Sequence, residues 1–248
     1  MRVTDNMRQQ QVLRNLQANS AAIAKAQQQV STGQRFSQVA EDPVAAASVM
    51  RTTHALTGIT QYRRNITATR SRLDTEESVL NQLGDILSRA KELAISQGTS
   101  TANTQTRSDT ALEVDQLIDQ VVNLVHAKVR EEHIFGGNLT AAAPFQPDGS
   151  YTGDAGIRQA EVSTGYVVDT THNGKQMLVD SGVISSLIAR RDQLRTGTGP
   201  GITATVTGLD GAFAQTQSNL ATIGARSRQL DNVGENLDAL ESSLQSRQ

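Results

Sequence analysis

The chain has 248 residues, no cysteine, no tryptophan and only 3% aromatic residues, and its 23 Lys and Arg nearly balance 25 Asp and Glu for a formal net charge of −2. Disulfides and thiolate metal sites are excluded. No basic block is present to neutralise a run of phosphates, the aromatic side chains that usually line an enzyme pocket are scarce, and Leu, Ile, Val and Ala are left to build a core of helices packed side by side.

The first residues, Met1-Arg2-Val3-Thr4-Asp5-Asn6-Met7, open a polar, Gln-rich stretch. They lack the apolar stretch of a secretory signal peptide, and no run of about 18 apolar residues is present to span a membrane. By these rules the sequence reads as a soluble cytoplasmic chain. The first predicted helix covers residues 4–32. Leu13, Leu16, Ile23 and Val30 mark a thin apolar stripe on it, with Ser20 and Gln27 in the intervening slots. So little apolar area calls for a partner helix.

Ser31-Thr32-Gly33 reads as a helix stop, because glycine takes the left-handed conformation that ends helices. A polar loop, residues 34–41, holds one aromatic, Phe36. Asp42-Pro43 restarts a helix: Asp is a strong N-cap, and Pro is favoured at the first helical position. Ile59, Ile66, Leu73, Leu80, Leu87 and Ala94 then recur every seven residues. Tyr62, Leu83 and Ala90 fill the second seam position, with Thr69 and Glu76 as polar exceptions. The pattern predicts one rod over residues 44–97, roughly 80 Å long, with Gly58 and Gly84 as weak points and Gly98 as its end.

A Ser/Thr/Asn loop, residues 99–106, leads to a second rod over residues 107–132. Val114, Leu117, Ile118, Val121, Leu124 and Val125 form its stripe, and the short connection implies an antiparallel neighbour. Turn chemistry follows in Phe135-Gly136-Gly137, Pro144-Phe145-Gln146-Pro147-Asp148-Gly149 and Gly153-Asp154-Ala155-Gly156. Strands are predicted over residues 159–163 and 166–170, joined through Thr164-Gly165, and a third over residues 175–179 after the turn signal His172-Asn173-Gly174. A short helix over residues 185–195 ends at Gly197. Residues 196–201 read as a flexible loop, and residues 208–248 as a last helix with Phe213, Leu220, Ile223, Leu230, Val233, Leu237, Leu240 and Leu244 along its stripe. The fold class is mainly α with a small β-rich lobe, an elongated antiparallel helical bundle with long rod helices. Its expected domains are an N-terminal helical segment, residues 1–41; a rod, residues 42–133 and 205–248; and a β-rich lobe with a short helix, residues 134–204.

No catalytic, cofactor or metal site emerges. His54, His126, His133 and His172 include no pair at the helical spacing that holds zinc. His126 and His133, read at the end of the second rod, suit a helix dipole better than a metal. The run from Asp148 to Asp154 lacks the alternating carboxylates and terminal Glu of a calcium loop. Gly174-Lys175 lacks the glycine spacing of a phosphate-binding loop. Glu76, on a seam, fits a register-setting or chain-contacting role better than an acid's.

The run Gln27-Gln28-Gln29-Val30-Ser31-Thr32-Gly33-Gln34-Arg35-Phe36, followed by Glu41-Asp42-Pro43-Val44-Ala45-Ala46-Ala47, resembles the N-terminal signature of the flagellin family. Asn65-Ile66, Ala90-Lys91-Glu92-Leu93-Ala94, Ile134-Phe135-Gly136-Gly137 before Pro144-Phe145, and Leu220-Ala221-Thr222-Ile223-Gly224-Ala225-Arg226 with Leu230 match it in order. Asp42-Pro43 and the Phe135-Gly136-Gly137 to Pro144-Phe145 pair are more similar to the family's hook–filament junction branch than to filament flagellin. The resemblance implies a non-enzymatic, self-associating subunit of the bacterial flagellum, exported unfolded by the flagellar type III pathway without a cleaved signal. It implies contacts with another hook-associated junction protein, with flagellin and with an export chaperone, and no cofactor, nucleic acid or membrane partner. The assembly and structural residues expected on this reading are Leu13, Leu16, Ile23, Val30, Phe36, Asp42, Pro43, Ile59, Ile66, Leu73, Leu80, Leu87, Leu230, Leu237 and Leu240. Family members continue into a second terminal helix, absent from this sequence, so residues 1–40 are expected to be mobile in a monomer or to pack on another copy. Filament flagellin and a cytoplasmic coiled-coil adaptor stand as the alternatives.

Overall fold

A computed structural model describes residues 2–33, 35–36, 38–98, 103–146, 148–196 and 199–246. Expectations placed on Gln34, Ser37, residues 99–102, Pro147, Gly197, Thr198 and residues 247–248 lie outside the described residues. In chain order the elements are α1 (Arg2–Thr32), α2 (Pro43–Gln97), α3 (Thr104–Leu124), β1 (Lys128–Val129), β2 (Glu132–His133), β3 (Gln159–Ser163), β4 (Tyr166–Asp169), one π-helical turn (Lys175–Val179), α4 (Val183–Thr196) and α5 (Gly199–Gln245). The chain is mainly helical, with two small antiparallel two-stranded sheets, β1-β2 and β3-β4. It forms two compact units, one through Leu56 and one from Thr57 onward, with the boundary inside α2.

In the first unit, α1 stops where glycine was expected to stop it. Gly33 has φ +68°, and its N–H still donates to the Gln29 carbonyl at 2.9 Å. The chain then turns back along α1: Gln29 Nε2 donates to the Arg35 carbonyl at 2.6 Å, and Lys25 pairs with Glu41 at 3.3 Å. Asp42 caps α2 by accepting the Ala45 N–H at 2.9 Å.

In the second unit, the heptads of α2 are its buried face. Ile59, Ile66, Leu73, Leu80, Leu87, Ala90 and Ala94 are all buried. α5 answers with Leu209, Thr216, Ile223, Leu230 and Leu237, again every seven residues and all buried. α3 contributes Val114, Leu117, Ile118, Val121 and Val122. Arg89 of α2 meets Glu113 of α3 at 2.7 Å, and α4 is tied to α3 through Arg191 and Arg195, which both pair with Asp115. Arg190 of α4 is wholly buried, yet its Nη2 donates to the Leu93 carbonyl at 2.7 Å. Burial pulls its pKa down to about 10.

The glycine- and proline-rich stretch after α3 condenses around Ile134, Phe135 and Phe145, all buried. Tyr151 packs at a tilt against Phe145 with ring centroids 5.1 Å apart, and its single hydroxyl proton is shared between the carbonyls of Phe135 and Asp154, at 3.0 and 2.8 Å. Gly174 is required here: a Cβ would lie 2.1 Å from the Phe135 carbonyl oxygen. The β3-β4 hairpin rests on both long helices. Asn65 Nδ2 of α2 donates to the Glu161 carbonyl at 2.7 Å, and Gln229 of α5 donates to the Tyr166 hydroxyl.

Four expectations are corrected. Residues 175–179 form a π-helical turn rather than a strand, because Asn173 Oδ1 accepts the Lys175 N–H at 3.0 Å and starts a helical turn. The second rod ends at Leu124, short of residue 132, and β1 and β2 follow, with the His126 ring bonded to the Phe145 carbonyl at 2.8 Å. α5 begins at Gly199 rather than near residue 208; Pro200 sits in its first turn, where a missing N–H costs nothing. On α5, Phe213 and Leu240 flank the buried stripe, Leu240 being 49% exposed.

The β1-β2 turn contains its own strain. Arg130 and Glu131, with φ of 50° and 66°, fill two left-handed positions where Asn-Gly is the favoured pair. Glu131→Gly is expected to raise the free energy of unfolding by about 0.5–1 kcal/mol, read from urea denaturation.

Candidate assembly surfaces

The two units treat their apolar residues in opposite ways. On α1, Leu13 is 58%, Leu16 60%, Ile23 59% and Val30 85% exposed. Met7 and Val12 are exposed as well, extending the apolar surface beyond the four residues expected from the sequence. The stripe is there, as its spacing required, but no described residue of the first unit covers it.

The junction between α1 and α2 is organised by polar contacts. Arg35 Nη2 donates to Asp42 Oδ2 at 2.7 Å, while Asp42 Oδ1 takes the Ala45 N–H. Phe36 is half-buried between them in sequence, and Pro43, the first residue of α2, is exposed. The Ala45 N–H, with help from the Arg35 guanidinium, holds the Asp42 carboxyl below its usual range. A carboxylate with a depressed folded pKa contributes stability above its unfolded pKa and loses it as the pH falls through the folded value. Asp42→Ala is therefore expected to speed amide exchange in the first turn of α2 at neutral pH, and Asp42→Asn to preserve the cap through the acid range.

The remaining expected residues lie inside the second unit. Ile59, Ile66, Leu73, Leu80 and Leu87 line the α2 seam, and Leu230 and Leu237 the α5 seam, so these seven are core. Leu240 stays on the surface. The apolar heptads have a charged counterpart that apolar spacing alone passes over. Arg63 pairs with Asp238 and with Glu241, Arg70 with Asp231, and Lys91 with Asp210 at 2.6 Å. The cations fall seven residues, or multiples of seven, apart along α2, and Asp238, Asp231 and Asp210 do the same in reverse along α5. Exposed pairs of this kind contribute only about 0.2–1 kcal/mol each. Their regularity fixes the antiparallel register of the two helices more than it stabilises them. The signal was present as Arg63, Arg70 and Lys91 on one side of a predicted heptad.

Glu76, the polar seam residue, is wholly buried and points at the His172 imidazole rather than at a neighbouring chain. His133 lies in β2 and is buried, not at a helix end as read from the sequence. Burial foremost, then the charge of Lys128, keeps its imidazole below the usual histidine value. Among the described residues no group of three or more His, Asp or Glu is placed to hold a metal ion. No described helix is long and apolar enough to cross a membrane.

The pattern of the bacterial flagellin N-terminal helical region matches residues 3–140. Flagellar hook-associated protein 3 of Salmonella typhimurium is 28% identical over 179 residues, covering 71% of this chain. This chain spans 56% of the length of that relative. In fold, it is similar to the crystal structure of Bacillus cereus FlgL (TM-score 0.71, 22% identity, 80% of this chain and 99% of that one). It is similar also to the flagellar junction protein FlgL from Legionella pneumophila (TM-score 0.68, 15% identity, 83% and 99%). An exposed heptad stripe on α1, a buried aliphatic bundle and the match over residues 3–140 lead to one assignment: the chain belongs to the bacterial flagellin family.

Proposed function

We propose that this chain joins hook to filament in the bacterial flagellum as a ring of self-associated subunits. The observation that carries self-association is the exposed α1 stripe, Leu13, Leu16, Ile23 and Val30, which no described residue of its own unit covers. Apolar surface of this kind is stabilised when another helix packs on it, and on this reading a neighbouring subunit supplies that helix. The choice of junction over filament rests on the likeness to hook-associated protein 3.

On this reading residues 1–41 are the assembly core, residues 42–133 and 205–248 the rod, and residues 134–204 the lobe. Ile59, Ile66, Leu73, Leu80, Leu87, Leu230 and Leu237 hold the rod rigid. Phe36, Asp42 and Pro43 shape the junction between α1 and the start of α2, and Leu240 adds an apolar contact. Heterologous contacts repeated around an axis give a ring or a helical turn. One face of that ring meets another hook-associated junction protein and the other meets flagellin. The subunit reaches its place by flagellar type III export, escorted by an export chaperone, and needs no cofactor.

Electron microscopy of a strain lacking the gene tests this. The proposal expects hooks without filaments and flagellin shed into the medium, both reversed by restoring the gene. Full-length filaments in the deletion strain would contradict it. Hooks without filaments and without flagellin in the medium would make the chain the filament subunit instead.

A further inference from the structure

Glu76 interrupts the aliphatic α2 seam with a wholly buried carboxylate, a costly arrangement unless the charge is paired. Its Oε2 lies 2.5 Å from Nδ1 of His172, in the segment that follows β4. Its Oε1 has no hydrogen-bond partner among the described residues. The far side of the same imidazole faces α5, where Nη1 of Arg226 lies 3.1 Å from Nε2. Arg226 is held in turn by Asp169 of β4: Nη1 donates to its carbonyl at 3.3 Å, and Nη2 lies 3.6 Å from its carboxylate. One imidazole therefore stands between a carboxylate on α2 and a guanidinium on α5.

The inventory of donors assigns the proton. A guanidinium has only donors, so Nε2 must offer its lone pair to Arg226. The single ring proton of the neutral imidazole then sits on Nδ1 and is donated to Glu76. On acidification, a proton taken from solvent goes to Nε2, the one unprotonated ring nitrogen. There it meets the N–H of Arg226: a hydrogen bond is lost and two positive charges face each other in partly buried surroundings. The contact with Glu76 becomes a full ion pair and tightens.

We propose that His172 is a proton-operated coupling between α5 and the segment after β4. It is closed when the imidazole is neutral. When protonated it lets go of α5 and keeps its hold on α2. The charged groups that face the imidazole or brace it are Glu76 from α2, Arg226 from α5 and Asp169 from β4. Once released, Arg226 keeps only its longer contacts to Asp169. Acid thereby loosens α5 locally, around Arg226, without unfolding the bundle.

Nitrogen and carbon NMR of the histidine rings in the unmodified chain reads the tautomer directly. The expected result for the neutral His172 ring is a proton on Nδ1 and none on Nε2, and a proton on Nε2 instead would overturn the proposal. Hydrogen exchange then reads the coupling. On acidification, protection of the α5 amides around Arg226 should fall about tenfold beyond the intrinsic effect of pH. In His172→Gln, which accepts no proton, that loss should vanish. His133 brings an acid response of its own, which this variant leaves in place. An equal tenfold loss in His172→Gln would overturn the proposal, and if that variant does not fold, the tautomer decides.

Discussion

Leu73→Ala is expected to lower the free energy of unfolding of the second unit by about 3–5 kcal/mol. Leu73 has no exposed surface, and it sits in the middle of the α2 seam, so the cavity left by three carbons cannot be filled from solvent. Leu240→Ala on α5, where 49% of the residue is already in water, is expected to cost less than about 1 kcal/mol. The contrast separates a core position from a surface position on the two seams. Urea denaturation followed by tyrosine fluorescence measures both. The chain has three tyrosines and no tryptophan, and Tyr62, Tyr151 and Tyr166 all lie beyond residue 56, so the signal reports the second unit alone. Equal costs for the two variants would mean that the seam of α2 is not the core of that unit.

The second large effect falls on assembly and spares the fold. Leu16→Asp combined with Ile23→Asp places two carboxylates on the exposed stripe of α1. In the monomer both stand in water, and the tyrosine-reported midpoint is expected to move by no more than about 0.5 kcal/mol. In the assembly both would be buried without partners, at several kcal/mol each. Incorporation into flagella should fall about a hundredfold or more, scored by labelling the subunit and counting it at hook ends. Gln11→Asp, on the opposite side of α1 and also exposed, is the control and should incorporate normally. Normal incorporation of the double variant would remove α1 from the interface.

Much of this architecture was legible because its determinants are local or periodic. Gly33 ends α1, Asp42-Pro43 starts α2 and the seven-residue recurrence from Ile59 to Leu87 marks the buried face, each for a reason contained in a few neighbouring residues. The β3-β4 hairpin was legible for the same reason, with Thr164-Gly165 between two short β-prone runs. What escaped depends on contacts distant in sequence. The turn at Lys175–Val179 looks like a strand until Asn173 is seen to cap it and Gly174 to press against Phe135. The early start of α5, at Gly199, runs against the local glycine content. Glu76 was visible as a polar seam residue, but its partner lies 96 residues away, and the ion pairs of Arg63, Arg70 and Lys91 lie between 119 and 178 residues from theirs.

Hydrogen exchange across α1, compared between the dilute chain and flagella that contain it, tests the central claim most directly. If the stripe of Leu13, Leu16, Ile23 and Val30 exists to be covered by a neighbouring subunit, the amides of residues 13–30 should exchange close to their intrinsic rates in the dilute chain and be strongly protected after assembly. Strong protection in the dilute chain, or the same weak protection in both states, would contradict it.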